Sequence, residues 1–110
     1  MPMSTLIRLL QNNHIEEAVE SFMVRLRAQG RSEHTISAYL RDLRCFVRAL
    51  PNVDICNITS TMIDTALTDP AVIESEDGKL KSAATMHRMK AVVRSFFAWA
   101  FESGLTQTNP

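Results

Sequence analysis

Residues 31–50 read RSEHTISAYLRDLRCFVRAL. Wound at 3.6 residues per turn, Ile36, Tyr39, Leu40, Leu43, Phe46, Val47 and Leu50 fall on one stripe, so the stretch is a helix with a face to bury. His34, Ser37, Arg41, Arg44 and Arg48 step by three and four along the opposite side, with Glu33 and Asp42 on the flanks. At 1.5 Å per residue this outer side runs roughly 20 Å from His34 to Arg48, and its three arginines form a cationic ridge along the last ~10 Å of it. Ser32 is placed to cap this helix, and Pro51 ends it.

The neighbouring segments supply helices for it to pack against. Residues 4–12, STLIRLLQN, are a short apolar segment. Asn13 with Glu16 three residues on has the capping-box spacing, so a helix is expected to start there. It would bury Ile15, Ala18, Val19, Phe22 and Leu26 and stop at Gly30. Beyond Pro51, Thr59 or Ser60 caps a shorter helix to about Thr68, with Met62, Ile63, Ala66 and Leu67 inward. Residues 69–81, which hold Pro70 and Gly78, are expected to form a loop.

Ser82 caps a last helix from Ala83 to about Ser103, ended by Gly104. Its inward stripe is Met86, Met89, Val92, Val93, Phe96, Phe97 and Ala100. Its outer face carries His87, Arg88, Lys90 and Arg94 among the small residues Ala84, Ala91, Ser95 and Ala98. No segment alternates with the period of a strand. The expected fold is therefore all-α, a bundle of four main helices behind a short N-terminal segment.

Twelve basic and twelve acidic residues cancel, but they are unevenly placed. Residues 52–78 hold six acids (Asp54, Asp64, Asp69, Glu74, Glu76, Asp77) and no base, whereas residues 79–110 hold five bases and one acid. A neutral sum thus covers a polarised molecule, which fits an anionic partner on one side. Cys45 and Cys56 have neither metal-ligand spacing nor the look of a secreted disulfide framework. There is no signal-peptide pattern and no run near the roughly 20 apolar residues that span a bilayer, so a cytoplasmic location is expected, with no membrane partner.

Catalytic chemistry is not evident. Tyr39, the one tyrosine, lies on the apolar stripe. His14, His34 and His87 are scattered without the spacing of a triad or a metal site, so neither a catalytic set, a cofactor, a metal nor a small-molecule substrate is expected. Cys45 is expected on the outer face beside Arg41 and Arg44, as an incidental small residue.

The pattern Gly30-Arg31-Ser32-x-x-Thr35-x-x-x-Tyr39-x-x-Asp42-Leu43-x-x-Phe46 resembles the opening of the core-binding domain of tyrosine recombinases, the phage integrases and Xer-type enzymes. Ser82-x-x-Thr85, Arg88, Ser95-Phe96-Phe97-x-Trp99-Ala100, Gly104 and Asn109-Pro110 resemble its last helix and the start of the linker to a catalytic domain. The resemblance implies a SAM-like domain over residues 13–108, with residues 1–12 ahead of it and the linker beginning at 109–110. It also implies that the domain closes one side of a clamp on duplex DNA, in company with other protomers, for DNA integration and recombination. The nucleophile and transition-state residues of such an enzyme would lie after the linker, so this segment is expected to be non-catalytic. The second and fourth main helices would face the major groove, and they are the two with basic faces.

The candidate DNA-binding residues are Arg31, Ser32, His34, Thr35, Ser37, Arg41, Arg44, Arg48, Lys79, Lys81, Ser82, Thr85, His87, Arg88, Lys90 and Arg94. Both candidate helices begin Ser-x-x-Thr, with a hydroxyl where a capping box would hold glutamate. An uncharged first turn would leave N–H groups and the helix dipole to a phosphate oxygen. The acidic segment 69–78, longer and more negative than the resemblance requires, is expected to point away from DNA or to touch a neighbouring protomer. The competing reading is a helical interaction domain whose arginine face meets an acidic protein.

Overall fold

The computed structural model describes the backbone of residues 3–110 and the side chains from residue 15 onward. Five helices follow in order: α1 (Met3–Ala28), α2 (Glu33–Ala49), α3 (Ser60–Leu67), α4 (Pro70–Ile73) and α5 (Ala83–Glu102), with a 3-10 turn at Ile55–Asn57. The fold is an all-α bundle, and among the described residues there is no strand beyond one antiparallel bridge between Glu74 and Leu80. α2 packs against each of the other four helices. Among the described residues, no helix is long and apolar enough to cross a membrane.

Why the helices begin and end where they do is written in their flanks. Ser32, Thr59 and Ser82 cap α2, α3 and α5, each side-chain oxygen accepting the backbone N–H of the residue three further on. Gly30 and Gly104 sit at φ +79° and +81° just past α1 and α5. At each end the glycine N–H and the next one reach back to Arg27 and Leu26 in α1, and to Phe101 and Ala100 in α5. That is a Schellman closure, and it needs the left-handed backbone that glycine adopts without steric cost.

The apolar stripes meet in one core. Phe46 of α2, Phe96 and Phe97 of α5, and Leu43 of α2 are fully buried, with Val19, Phe22 and Met23 of α1 nearly so. Rings pass edge-on from helix to helix: Phe22 to Phe96 at 5.6 Å, Phe96 to Phe97 at 5.2 Å, and Phe97 to Phe46 at 6.2 Å between centroids. Trp99, half-buried, tilts against Phe22 at 5.5 Å. Burying each phenylalanine contributes about 1.5–3 kcal/mol, and the edge-to-face pairs add about 0.5–1.5 kcal/mol apiece.

Three expectations about local structure are corrected. α1 runs unbroken from Met3 to Ala28, so no helix starts at Asn13. Asparagine costs an interior position only tenths of a kcal/mol, and the capping spacing alone does not stop a helix. The side chains of residues 4–12 lie outside the described residues. Residues 69–81 are not a plain loop: Asp69 caps α4 by accepting the Ala71 N–H at 2.8 Å, and Pro70 occupies the first helical turn. A tight hairpin follows, closed by Ser75 N–H to Lys79 O at 2.8 Å and by Lys81 N–H to Ile73 O at 2.8 Å. Finally, Asp42 does not lie on a solvated flank, because only 4% of it is exposed.

Candidate nucleic-acid interface

The outer side of α2 opens onto a cleft of about 970 Å³ whose other walls are the start of α5 and the 74–81 hairpin. Eight of the sixteen candidate residues line it: Ser37, Arg41, Arg44, Arg48, Lys81, Ser82, Thr85 and Arg88. Arg31 lines a second cleft of about 320 Å³ between α1 and α5, with Arg25, Tyr39 and Trp99, and Arg88 borders both. Ser32, His34, Lys79, His87, Lys90 and Arg94 are exposed and Thr35 is half-buried, but these seven line neither cleft. The candidate set thus divides into a grouped half and a dispersed half.

The basic residues differ in how free they are. Arg41 and Arg48 make no ion pair among the described residues. Arg44 Nη2 lies 3.5 Å from Glu20 Oε1 on α1, with both side chains largely in water, an arrangement worth about 0–1 kcal/mol. Arg88 is committed much more firmly. Its Nε and Nη2 donate to the two oxygens of Asp42 at 2.8 and 3.2 Å, a two-pronged bond from α5 to α2. Asp42, through its hydrogen bond and then its charge, raises the Arg88 pKa, so the guanidinium is charged at every ordinary pH. Asp42–Arg88 was not anticipated; local periodicity contains no sign of a pair 46 residues apart.

Cys45 also departs from expectation. It is half-buried, its sulfur donating to Ala71 O at 3.6 Å and receiving the Lys81 ammonium at 3.7 Å. It therefore fastens the hairpin and α4 to α2. Lys81 in turn commits one of its N–H donors to that contact.

Part of the acidic segment lies beside the basic residues. Glu74, Ser75 and Glu76 line the same cleft as Arg41, Arg44 and Arg48. Antiparallel closure of residues 73–81, together with the Lys81–Cys45 contact, brings the hairpin beside α2. Asp77 is engaged inside the turn, accepting from the Ser75 hydroxyl and from the Lys79 N–H. These bonds, the hydroxyl first, hold its carboxyl below the ordinary carboxylate range.

At the helix starts, each Ser-x-x-Thr forms a hydroxyl version of a capping box. Ser32 and Ser82 accept the Thr35 and Thr85 N–H at 3.1 Å and donate to the threonine hydroxyls at 2.9 Å. The first turn of α2 is not uncharged, because Glu33 stands in it and pairs with Arg27 at 3.5 Å. Only α5, of the two, begins without an acid. Among the described residues, no group of three or more His, Cys, Asp or Glu is arranged to hold a metal ion.

An all-α bundle with a cationic central helix, a long last helix and this pattern of caps defines a class, and the sequence comparison agrees. Residues 19–104 match the model of the phage integrase N-terminal SAM-like domain, and the chain belongs to that family. Two relatives are tyrosine recombinases XerC, from Bifidobacterium longum strain DJO10A and from Bifidobacterium longum subsp. infantis. Each is 29% identical over 102 residues, which is 92% of this chain and 28% of the relative. The chain thus spans little more than a quarter of the curated relatives it matches. No solved structure matches it.

Proposed function

We propose that this chain is the DNA-binding, core-binding module of a tyrosine-type site-specific recombinase. In this reading it closes one side of a clamp around duplex DNA, while strand cleavage and rejoining belong to a catalytic domain elsewhere in the parent protein. The observation that carries it is the meeting of α2 and the start of α5 around one cleft, with Arg41, Arg44, Arg48, Lys81, Ser82 and Thr85 on its walls. Arginines and hydroxyls at that spacing suit phosphate oxygens, and a helix fits the roughly 12 Å major groove. α2, at 17 residues, is about 25 Å long, close to three-quarters of a DNA turn.

Phosphate contacts set position and register, so Arg41, Arg48 and Lys81 serve mainly to hold the duplex. Of the residues outside the cleft, His87, Lys90 and Arg94 would meet DNA where the duplex continues along α5, and His34 at the start of α2. Glu74 and Glu76 oppose that approach from the hairpin side, so the duplex is expected to lean toward α5. Other protomers of the parent recombinase on the same DNA are the expected protein partners.

Titration of a labelled plain duplex with the purified chain tests the reading. Saturable binding that Arg41→Ala with Arg48→Ala weakens is expected. Binding to an acidic protein but not to duplex DNA would favour a helical interaction domain instead.

A further inference from the structure

Asp42 is a carboxylate nearly sealed inside a helix whose outer side is cationic, and phosphate binding has no direct use for it. Its side chain is 6% exposed and that of its partner Arg88 is 41% exposed. We infer that Asp42 is a positioning residue for DNA recognition, holding the Arg88 guanidinium at the α2–α5 seam so that its unused edge serves as a directed donor. This rests on the DNA-binding reading above.

The bonding pattern carries the inference. A guanidinium is a rigid planar fork with five N–H donors. Asp42 takes the Nε and Nη2 side with both of its oxygens, at 2.8 and 3.2 Å, which fixes the plane of the fork and leaves Nη1 over. Arg88 borders the large cleft on one side of the seam and the smaller one on the other, and 41% of its side chain is exposed there, so a ligand can reach it. Because the pair is neutral as a unit, Arg88 adds little to the general attraction for phosphate. Its value is directional, and a directed donor on α5 beside Ser37 and Arg41 of α2 fixes where the duplex sits. A simple pin between helices would not require this chemistry, since well-packed apolar residues of similar volume hold helices together at least as well.

The test is a double-mutant cycle read by binding to a labelled mixed-sequence duplex, with circular dichroism to establish folding. Asp42→Asn adds one net positive charge, which alone would tighten binding. If Asp42 acts by aiming Arg88, Asp42→Asn weakens binding about tenfold or more in the parent, the worth of one charge-assisted hydrogen bond, and has no such effect in Arg88→Met. Arg88→Lys keeps the charge but not the fork, and is expected to bind as weakly as Arg88→Met. Should Asp42→Asn fail to fold, Arg88→Lys and the shift of the parent's Arg88 Nε–H resonance on adding DNA decide. A parent that binds while Asp42→Asn or Arg88→Lys binds as tightly, or an unmoved Arg88 resonance, overturns the inference. A parent that does not bind duplex at all overturns the DNA-binding reading, and this inference with it.

Discussion

Arg44 of α2 reaches across to Glu20 of α1, its Nη2 3.5 Å from Oε1. The arginines that look equivalent on a helical wheel are therefore not equivalent in the fold. Removing Arg44 loses a positive charge but also frees a carboxylate that it partly neutralised, whereas Arg41 has no such partner among the described residues. In a DNA titration across salt, Arg41→Ala is expected to flatten the slope of log K against log salt by about one unit. Glu20→Gln should strengthen binding in the parent and have less effect in Arg44→Ala. Equal response to Glu20→Gln in both backgrounds would contradict a working Arg44–Glu20 contact.

The hairpin carboxylates offer a gain-of-binding prediction. Glu74 and Glu76 share a cleft with four arginines, so they compete with phosphate for the same field. Glu74→Gln with Glu76→Gln is expected to tighten duplex binding several-fold at low salt and to lose that advantage as salt screens the charges. Unchanged affinity at low salt would mean that DNA stays clear of the hairpin.

Asp77 predicts a local response to acid. Its folded-state pKa is depressed by the Ser75 hydroxyl and the Lys79 N–H. Its contribution is therefore present above the unfolded pKa and fades as pH falls through the folded one, below about pH 4. In that range the protection of the Gly78 and Lys79 amides, taken against the intrinsic exchange rate at each pH, should fall ahead of that of the amides of α2 and α5. Asp77→Asn should make the exchange pattern of these two amides nearly insensitive to acid; an unaltered acid response would show that Asp77 is not its source.

The helix starts make an unequal pair. α2 already carries Glu33 in its first turn and α5 carries no acid there. Glutamate at either threonine completes a capping box, so Thr35→Glu and Thr85→Glu should leave melting unchanged or raise stability by up to about 1 kcal/mol each. Thr85→Glu should weaken DNA binding more, because the new carboxylate stands where the acid-free start of α5 meets the cleft. Equal binding by both variants and the parent would show that phosphate is not held at these starts.

Much of this fold is legible locally. Ser32, Thr59, Ser82, Gly30 and Gly104 mark ends that the backbone respects, and the buried faces of α2 and α5 follow their 3.6-residue stripes. Asp69-Pro70 is a readable start too, an N-cap with proline in the first turn, obscured because proline and Gly78 together resemble a loop. Asn13-x-x-Glu16 misleads for the opposite reason, since a capping sequence permits a helix start without compelling one. The site is less legible than the fold. Which basic residues converge depends on how α5 and the hairpin pack on α2, and the polar contacts across those seams, Asp42–Arg88 and Lys81–Cys45, join residues far apart in sequence.

The central claim is that the basic faces of α2 and α5 bind the DNA backbone, and salt dependence tests it most directly. If about five phosphates are neutralised, log K for a plain duplex should fall against log salt with a slope of roughly −4 to −5. Arg41→Ala with Arg44→Ala should flatten it by about one to two units, and Glu16→Ala with Glu17→Ala should not flatten it at all. A slope near zero, or no duplex binding at low salt, would contradict the account.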